Sequence, residues 1–326
     1  MPKEITHWLI AGKTAEITRG TLLGDAGLAH PNALRLGAVF PDVLYFLSNS
    51  PGMSPYRSIA QAYHGHGGED TYIPLRRLAT ALPGSPHQSA LLAFLAGFAC
   101  HIQTDATFHP LVYHLTGDYG DADPERRSRA VMDHRRLECL MDMFFCNGAA
   151  GLQAHSLKEI VRGLELPFPY LIEELIRREG DLRGLSEPDR AARQALSNFV
   201  LLQGLSKRRG LARLLDLVSP VFPRATQEVI ALFYSPALDP LLPRLSAPVS
   251  YRNPVTGHAA AVLLPELFDR AVTSSADCLR EIEKAMHAGA SILPAWGPSL
   301  SYGFTDQRPA RPRYFAETRF FRPDGS

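Results

Sequence analysis

The chain has 326 residues, and its 45% apolar content is enough for a sizeable core, which excludes disorder of the whole chain. Thirty-four basic residues against thirty-three acidic ones leave a formal charge of +1. No global field therefore attracts nucleic acid or an anionic membrane, and any phosphate recognition must be local. Cys100, Cys139, Cys146 and Cys278 form no CxxC pair and sit in apolar helical stretches, which suits buried reduced thiols and argues against a cysteine metal site.

In chain order, the opening MPKEITHWLIAGKTAE has no apolar run long enough for a signal peptide, so the expected compartment is the cytoplasm. Apolar residues at three-to-four spacing predict helices over 5–17, 91–109 and 130–145. The same texture predicts further helices over 157–164, 170–178, 189–205, 211–218, 225–234 and 266–287. The most apolar run, 91–100, is well short of the roughly 20 residues a membrane span needs. It reads as a buried helix, and no transmembrane segment is expected. Proline and glycine mark loops at 50–55, 83–86 and 235–257, and the tail after Ser301 reads as irregular. Strand patterns are nearly absent, so the fold class expected is all-α. One mostly helical domain, 1–326, is expected: a reactive half 1–148, a helical scaffold 149–300 and a tail 301–326.

Nine of the twelve histidines precede residue 135, which places the chemistry in the first half. In FLAGFACHIQTDATFHPLVYH, His101, Asp105 and His109 fall at i, i+4 and i+8. A helix advances about 100° per residue, so these side chains share one stripe. Imidazoles and a carboxylate converging on one face suit zinc, which takes N and O ligands at about 2.0 to 2.2 Å. An ordinary hydrogen-bonded histidine–aspartate pair would explain two of them. The flank LLAFLAGFAC implies burial, however, and a buried carboxylate without a strong partner costs several kcal/mol. Pro110 is expected to end or kink this helix.

His134 and Glu138 repeat the i, i+4 arrangement, a spacing equally common in simple ion pairs. Two candidates fall on loops: Asp42 in GAVFPDVLYF, whose plainer role is the N-cap of a helix starting at Val43, and His64 in AYHGHGGEDTYIP. His7, beside Trp8 on the first helix, reads on its own as a satisfied core residue. His66 and His114 are candidate hydrogen-bonding neighbours of the site or proton donors to a leaving group, with a surface turn and a helix end as their plainer readings.

Together THWLIAGKTAE, GAVFPDVLYF, YHGHGGEDTYIP, LAGFACHIQTDATFHP and DHRRLE resemble, in order, spacing and type, the zinc-dependent phospholipase C family, including the catalytic domain of glycosylphosphatidylinositol-specific phospholipase D. The resemblance covers residues 1–145. It implies a multi-helix bundle of the phospholipase C and single-strand nuclease kind, with a buried cluster of two to three Zn2+ ions. Carried over residue by residue, it makes His7, Asp42, His64, His101, Asp105, His109, His134 and Glu138 the metal ligands. Asp105 would bridge two ions, and Asp42 would also position or deprotonate the attacking water. It implies a phospholipid or related phosphodiester as substrate and a peripheral membrane contact as partner. Secreted members complete the third metal position with a freed N-terminal amine, usually of a tryptophan; here the chain begins Met1–Pro2. Two other readings stay open: a zinc-dependent nuclease, which the near-zero charge disfavours, and a non-catalytic helical protein with a closed metal site.

Overall fold

The long apolar stretch predicted at 91–109 is the spine of the protein. In the computed structural model, which describes residues 3–47, 54–177, 184–303, 312–316 and 320–321, it becomes a helix of 29 residues, Gln88–Thr116. Counting α-helices in chain order, the helices before it are α1 (Glu4–Ile17), α2 (Leu22–Ala29), α3 (Pro31–Gly37), α4 (Arg57–Tyr63) and α5 (Ile73–Ala81), which makes it α6. The helix is long and apolar enough by composition to cross a membrane, yet 83% of that window is buried inside the protein. Phe94, Phe98 and Phe108 are fully buried along it, each worth about 1.5 to 3 kcal/mol relative to exposure.

The expected end at Pro110 is corrected: α6 continues two turns beyond it. A proline inside a helix leaves the carbonyl four residues back, here that of Ala106, without its helical donor. Gly303 packs so close to that carbonyl oxygen that a Cβ would lie 2.2 Å from it. The chain after Ser301 therefore covers the weak point.

A second close approach sets the position of α3. A Cβ at Gly97 would lie 2.0 Å from the Leu34 carbonyl oxygen, and one at Gly37 would lie 2.2 Å from that of Phe94. With no side chain on either glycine the two backbones meet, and α3 is held against α6 along this line.

Beyond α6 lie α7 (Pro124–Phe145), capped by the Asp123 carboxylate, α8 (Leu157–Arg162) and the short α9 (Phe168–Leu171), which passes into a π-turn Ile172–Arg177. Then come α10 (Pro188–Ser206), α11 (Arg209–Val218), α12 (Arg224–Ile230) and α13 (Leu264–His287). Buried apolar residues from Ile5 to Leu300 form one connected cluster. The segment expected as loop at 235–257 is more ordered than its prolines suggested. It holds a 3-10 run, Pro236–Ser246, and the strand β1 (Val249–Arg252), paired antiparallel with β2 (Ala259–Val262). Short elements with their own turn residues at each end carry little periodicity. For the same reason α2 to α5 were not assigned from the sequence.

Of the irregular tail, the described part is tied to the body. The Arg313 and Tyr314 amides donate to the Pro254 carbonyl, and the Ala316 amide donates to that of His114. Met1, Pro2 and parts of the expected 50–55 loop and of the tail lie outside the described residues.

Candidate metal centre

The stripe His101, Asp105 and His109 forms as the spacing required, on the middle of α6, with all three side chains buried. His7 comes from α1 and its ring stacks on His101 at 4.5 Å between centroids. Of the two residues expected on loops, His64 stands in the turn that follows α4, and Asp42 lies on a short helical element instead. Asp42 is inside a 3-10 run, Phe40–Phe46, not an N-cap at Val43, and His64 is the C-cap of α4. Proline at the second position favours the tight turn in which Asp42 sits. His134 and Glu138 stand one turn apart on α7, with 2.8 Å between Nε2 and Oε1.

Tertiary packing gathers these residues into three sets, each with ligand atoms within 4.8 Å of one another: His7, His101 and Asp105; Asp42, His64 and His101, which shares His101 with the first; and, separately, His109, His134 and Glu138. Asp105 links the first two. Its Oδ1 is 3.2 Å from His7 Nε2, and its Oδ2 is 3.3 Å from His101 Nε2 and 3.8 Å from His64 Nε2. His64 Nε2 also lies 3.1 Å from Asp42 Oδ1.

The backbone decides which ring nitrogen faces inward. His64 Nδ1 lies 2.6 Å from the Ala60 carbonyl oxygen and His101 Nδ1 lies 2.9 Å from that of Ala38; His109 Nδ1 pairs with the Leu300 carbonyl. A carbonyl only accepts, so each Nδ1 carries the proton and each Nε2 offers a lone pair to the interior. Backbone-anchored imidazoles of this kind are how proteins orient metal-binding histidines. The close α3–α6 contact supplies one anchor directly, because Ala38 follows the last residue of α3.

Several of the inward atoms have no hydrogen bond in return: both ring nitrogens of His7, His101 Nε2, His109 Nε2, Asp42 Oδ1 and both oxygens of Asp105. Buried polar atoms are ordinarily satisfied. Where Nδ1 is anchored, in His64 and His101, the lone pair of the neutral ring faces carboxylate oxygens across about 3 to 4 Å, an arrangement that repels unless a proton or a metal ion lies between. The donor set, nitrogen and oxygen without sulfur, is one that zinc accepts.

The electrostatics differ from one histidine to the next. Burial alone would raise the Asp105 pKa, but His101 and His109 outweigh it and hold the carboxyl well below the usual range. Burial likewise opposes a proton on His101, yet Asp105 and Asp42 raise its pKa. Burial keeps His109 and His134 well below the ordinary imidazole value, so these rings stay neutral and able to coordinate.

A cleft of about 450 Å³ opens beside the cluster and is lined by both Asp42 and Glu138. Phe46, Phe199, Leu202 and Leu232 form an apolar wall, while Lys3 and Glu4 border it from the start of α1. Lys3 Nζ lies 3.2 Å from Ser206 Oγ, 3.5 Å from Glu4 Oε1 and 3.8 Å from the centre of the Tyr234 ring. His66 lies exposed in a short 3-10 turn, and His114 pairs through Nδ1 with the Tyr314 carbonyl; neither belongs to the three sets.

Sequence reasoning missed Lys3, Glu4 and Asp142. Asp142 is fully buried and extends the His134–Glu138 stripe by one more turn, which is the signal that could have found it. Its carboxylate accepts the Ile5 and Thr6 amides, the Thr6 hydroxyl and the Tyr234 hydroxyl. It thereby fixes the start of α1, and with it His7, against α7. Burial pushes its pKa up to about 7.

The family model for zinc-dependent phospholipase C matches residues 6–177, just over half of the chain and well past residue 145. No curated protein and no solved structure matches it. The matched span contains every residue of the three sets, and the chain belongs to the zinc-dependent phospholipase C family.

Proposed function

We propose that this protein hydrolyses the phosphodiester of a phospholipid at a centre of two to three zinc ions held by His7, Asp42, His64, His101, Asp105, His109, His134 and Glu138. The observation that carries the reading is the convergence of buried lone-pair atoms that lack hydrogen bonds, with three imidazoles locked by backbone carbonyls so that Nε2 faces the carboxylates. The family assignment supports phospholipid as the substrate class. Zinc bound there would polarise the phosphoryl oxygens and lower the pKa of a bound water toward about 7.

The chain's own residues have separable tasks. Asp42 lies on the cleft wall and also faces His64, which suits it to take the proton of the water that attacks phosphorus. Lys3, next to the same cleft, places a positive charge near the phosphate. Phe46, Phe199, Leu202 and Leu232 give the apolar part of the substrate a dry wall. The Ala38 and Ala60 carbonyls hold His101 and His64 in one tautomer, so that in the neutral ring the inward nitrogen carries the lone pair.

The test is metal content per chain on untagged protein purified without chelator, wild type beside Asp105→Asn. Two or three zincs in the wild type, falling in the variant together with phosphodiester hydrolysis, is the expected result. Near-zero metal in the wild type that added zinc does not restore would overturn the reading.

A further inference from the structure

Helix α11 turns only part of its apolar side inward: Leu211, Leu215 and Val218 are half-buried, while the Arg209 guanidinium pairs with Asp239 and the Asp216 carboxylate accepts the Ser235 hydroxyl. Ala212 is its buried residue. Leu214 and Leu217, three residues apart, point outward, and Leu217 is 79% exposed. The apolar surface continues through Val221, 81% exposed, to Phe222 and to Val229 on α12, with Leu201 exposed on α10. Single exposed leucines are ordinary, but six large apolar side chains on adjoining elements are not.

We infer that this surface docks the protein on a phospholipid bilayer containing anionic lipid. Charge selects the occupant. Segment 207–224 carries Lys207, Arg208, Arg209, Arg213 and Arg224 against Asp216. Arg209 and Arg224 are paired with Asp239 and Glu125, and the Lys207 ammonium is held by the His155 carbonyl, which leaves exposed Arg208 and Arg213 beside the apolar face. Cations flanking an outward apolar face match the headgroup and acyl boundary of such a membrane. Two copies of this chain meeting there would bring like charges together.

Position supports the same occupant. Phe199, Leu202, Gln203 and Ser206 of α10 line the cleft beside Asp42 and Glu138, and Leu201 of the same helix is exposed, so one helix borders both the cleft and the patch. The choice of a bilayer rests on the phospholipase reading proposed above.

The experiment is co-sedimentation of the zinc-loaded full chain with vesicles of phosphatidylcholine alone or mixed with phosphatidylserine. Wild type is compared with Leu217→Glu/Val221→Glu and with Arg213→Glu, and hydrolysis of water-soluble p-nitrophenylphosphocholine and far-ultraviolet circular dichroism are read in parallel. The wild type is expected to pellet with the mixed vesicles. The double variant should bind them about tenfold less, and Arg213→Glu should lose the preference for phosphatidylserine. Soluble hydrolysis and the spectrum should be unchanged in both variants, which separates docking from folding and from catalysis. A wild type that stays in the supernatant, or a double variant that pellets equally, overturns the proposal. So does a wild-type dimer that the double variant converts to monomer, since the patch would then be covered by a second copy. Absence of soluble hydrolysis in the wild type would count against the phosphodiesterase reading and leave the vesicle result standing.

Discussion

Helices α6 and α11 break the usual inside-out rule in opposite directions. The first buries two imidazoles and a carboxylate in the middle of an apolar core; the second turns Leu214 and Leu217 to solvent and Arg209 and Asp216 to the body. Each inversion opposes the hydrophobic and desolvation terms that shape ordinary helices. In α6 convergent anchored ligands fit the inversion, and in α11 polar pairs hold the helix by its charged side. An inversion with such support points to a partner outside the chain, a metal in one case and a lipid surface in the other.

The sharpest break on the α6 side is Gly97→Ala. The added methyl would collide with the Leu34 carbonyl, so α3 must move or the protein must unfold. Overpacking against rigid backbone costs about 1 to 3 kcal/mol, and the upper end is expected here. Thermal unfolding monitored by circular dichroism should show it, and zinc retention should fall because the Ala38 carbonyl shifts away from His101. Unchanged stability and zinc content would mean that the close helix contact does not set the site.

An intermediate effect is expected at the junction of the two halves. Asp142→Asn leaves one side of a four-donor pocket facing N–H or O–H groups with an amide donor of its own. A loss of about 2 kcal/mol is expected in denaturant unfolding. Tyr234→Phe, which removes only one of the four donors, should cost less, about 1 kcal/mol. Equal costs would show that Asp142 works through Tyr234 rather than through α1.

The smallest effect belongs to α11. The Arg209–Asp239 pair is part-exposed, with side chains 30% and 47% accessible. Asp239→Asn should therefore cost less than about 1 kcal/mol. The same variant should still reduce binding to mixed vesicles if the pair holds α11 with Leu214 and Leu217 outward, and vesicle binding identical to wild type would separate the mounting of the helix from its docking.

The local parts of the site were readable from residue types and spacing. His101, Asp105 and His109, and separately His134 and Glu138, lie on single helices whose geometry repeats every turn, so their alignment follows from sequence separation alone. Asp42, His64 and His7 were harder. Each sits on a different element, and what joins them to Asp105 is the packing of α1, α4 and the 3-10 run around α6. Lys3 and Glu4 lacked a local pattern to single them out, Asp142 only continued the His134–Glu138 stripe, and Lys3 and Asp142 matter through partners more than ninety residues away. Helices α2 to α5 escaped because segments of seven to nine residues are too short to show a sustained period. Pro110, expected to end or kink the helix, does not end it, and the carbonyl it leaves bare is covered by Gly303, nearly two hundred residues later.

Composition and periodicity by themselves determined that the chain is helical and that its reactive groups lie in the first half, since both follow from local helix geometry and residue chemistry. Which ring nitrogen of each histidine faces inward, where the cleft opens, and which side of α11 meets solvent were decided only by the tertiary structure. Those outcomes depend on carbonyls, glycines and ion pairs brought together from distant parts of the chain, and no period in the sequence encodes such meetings.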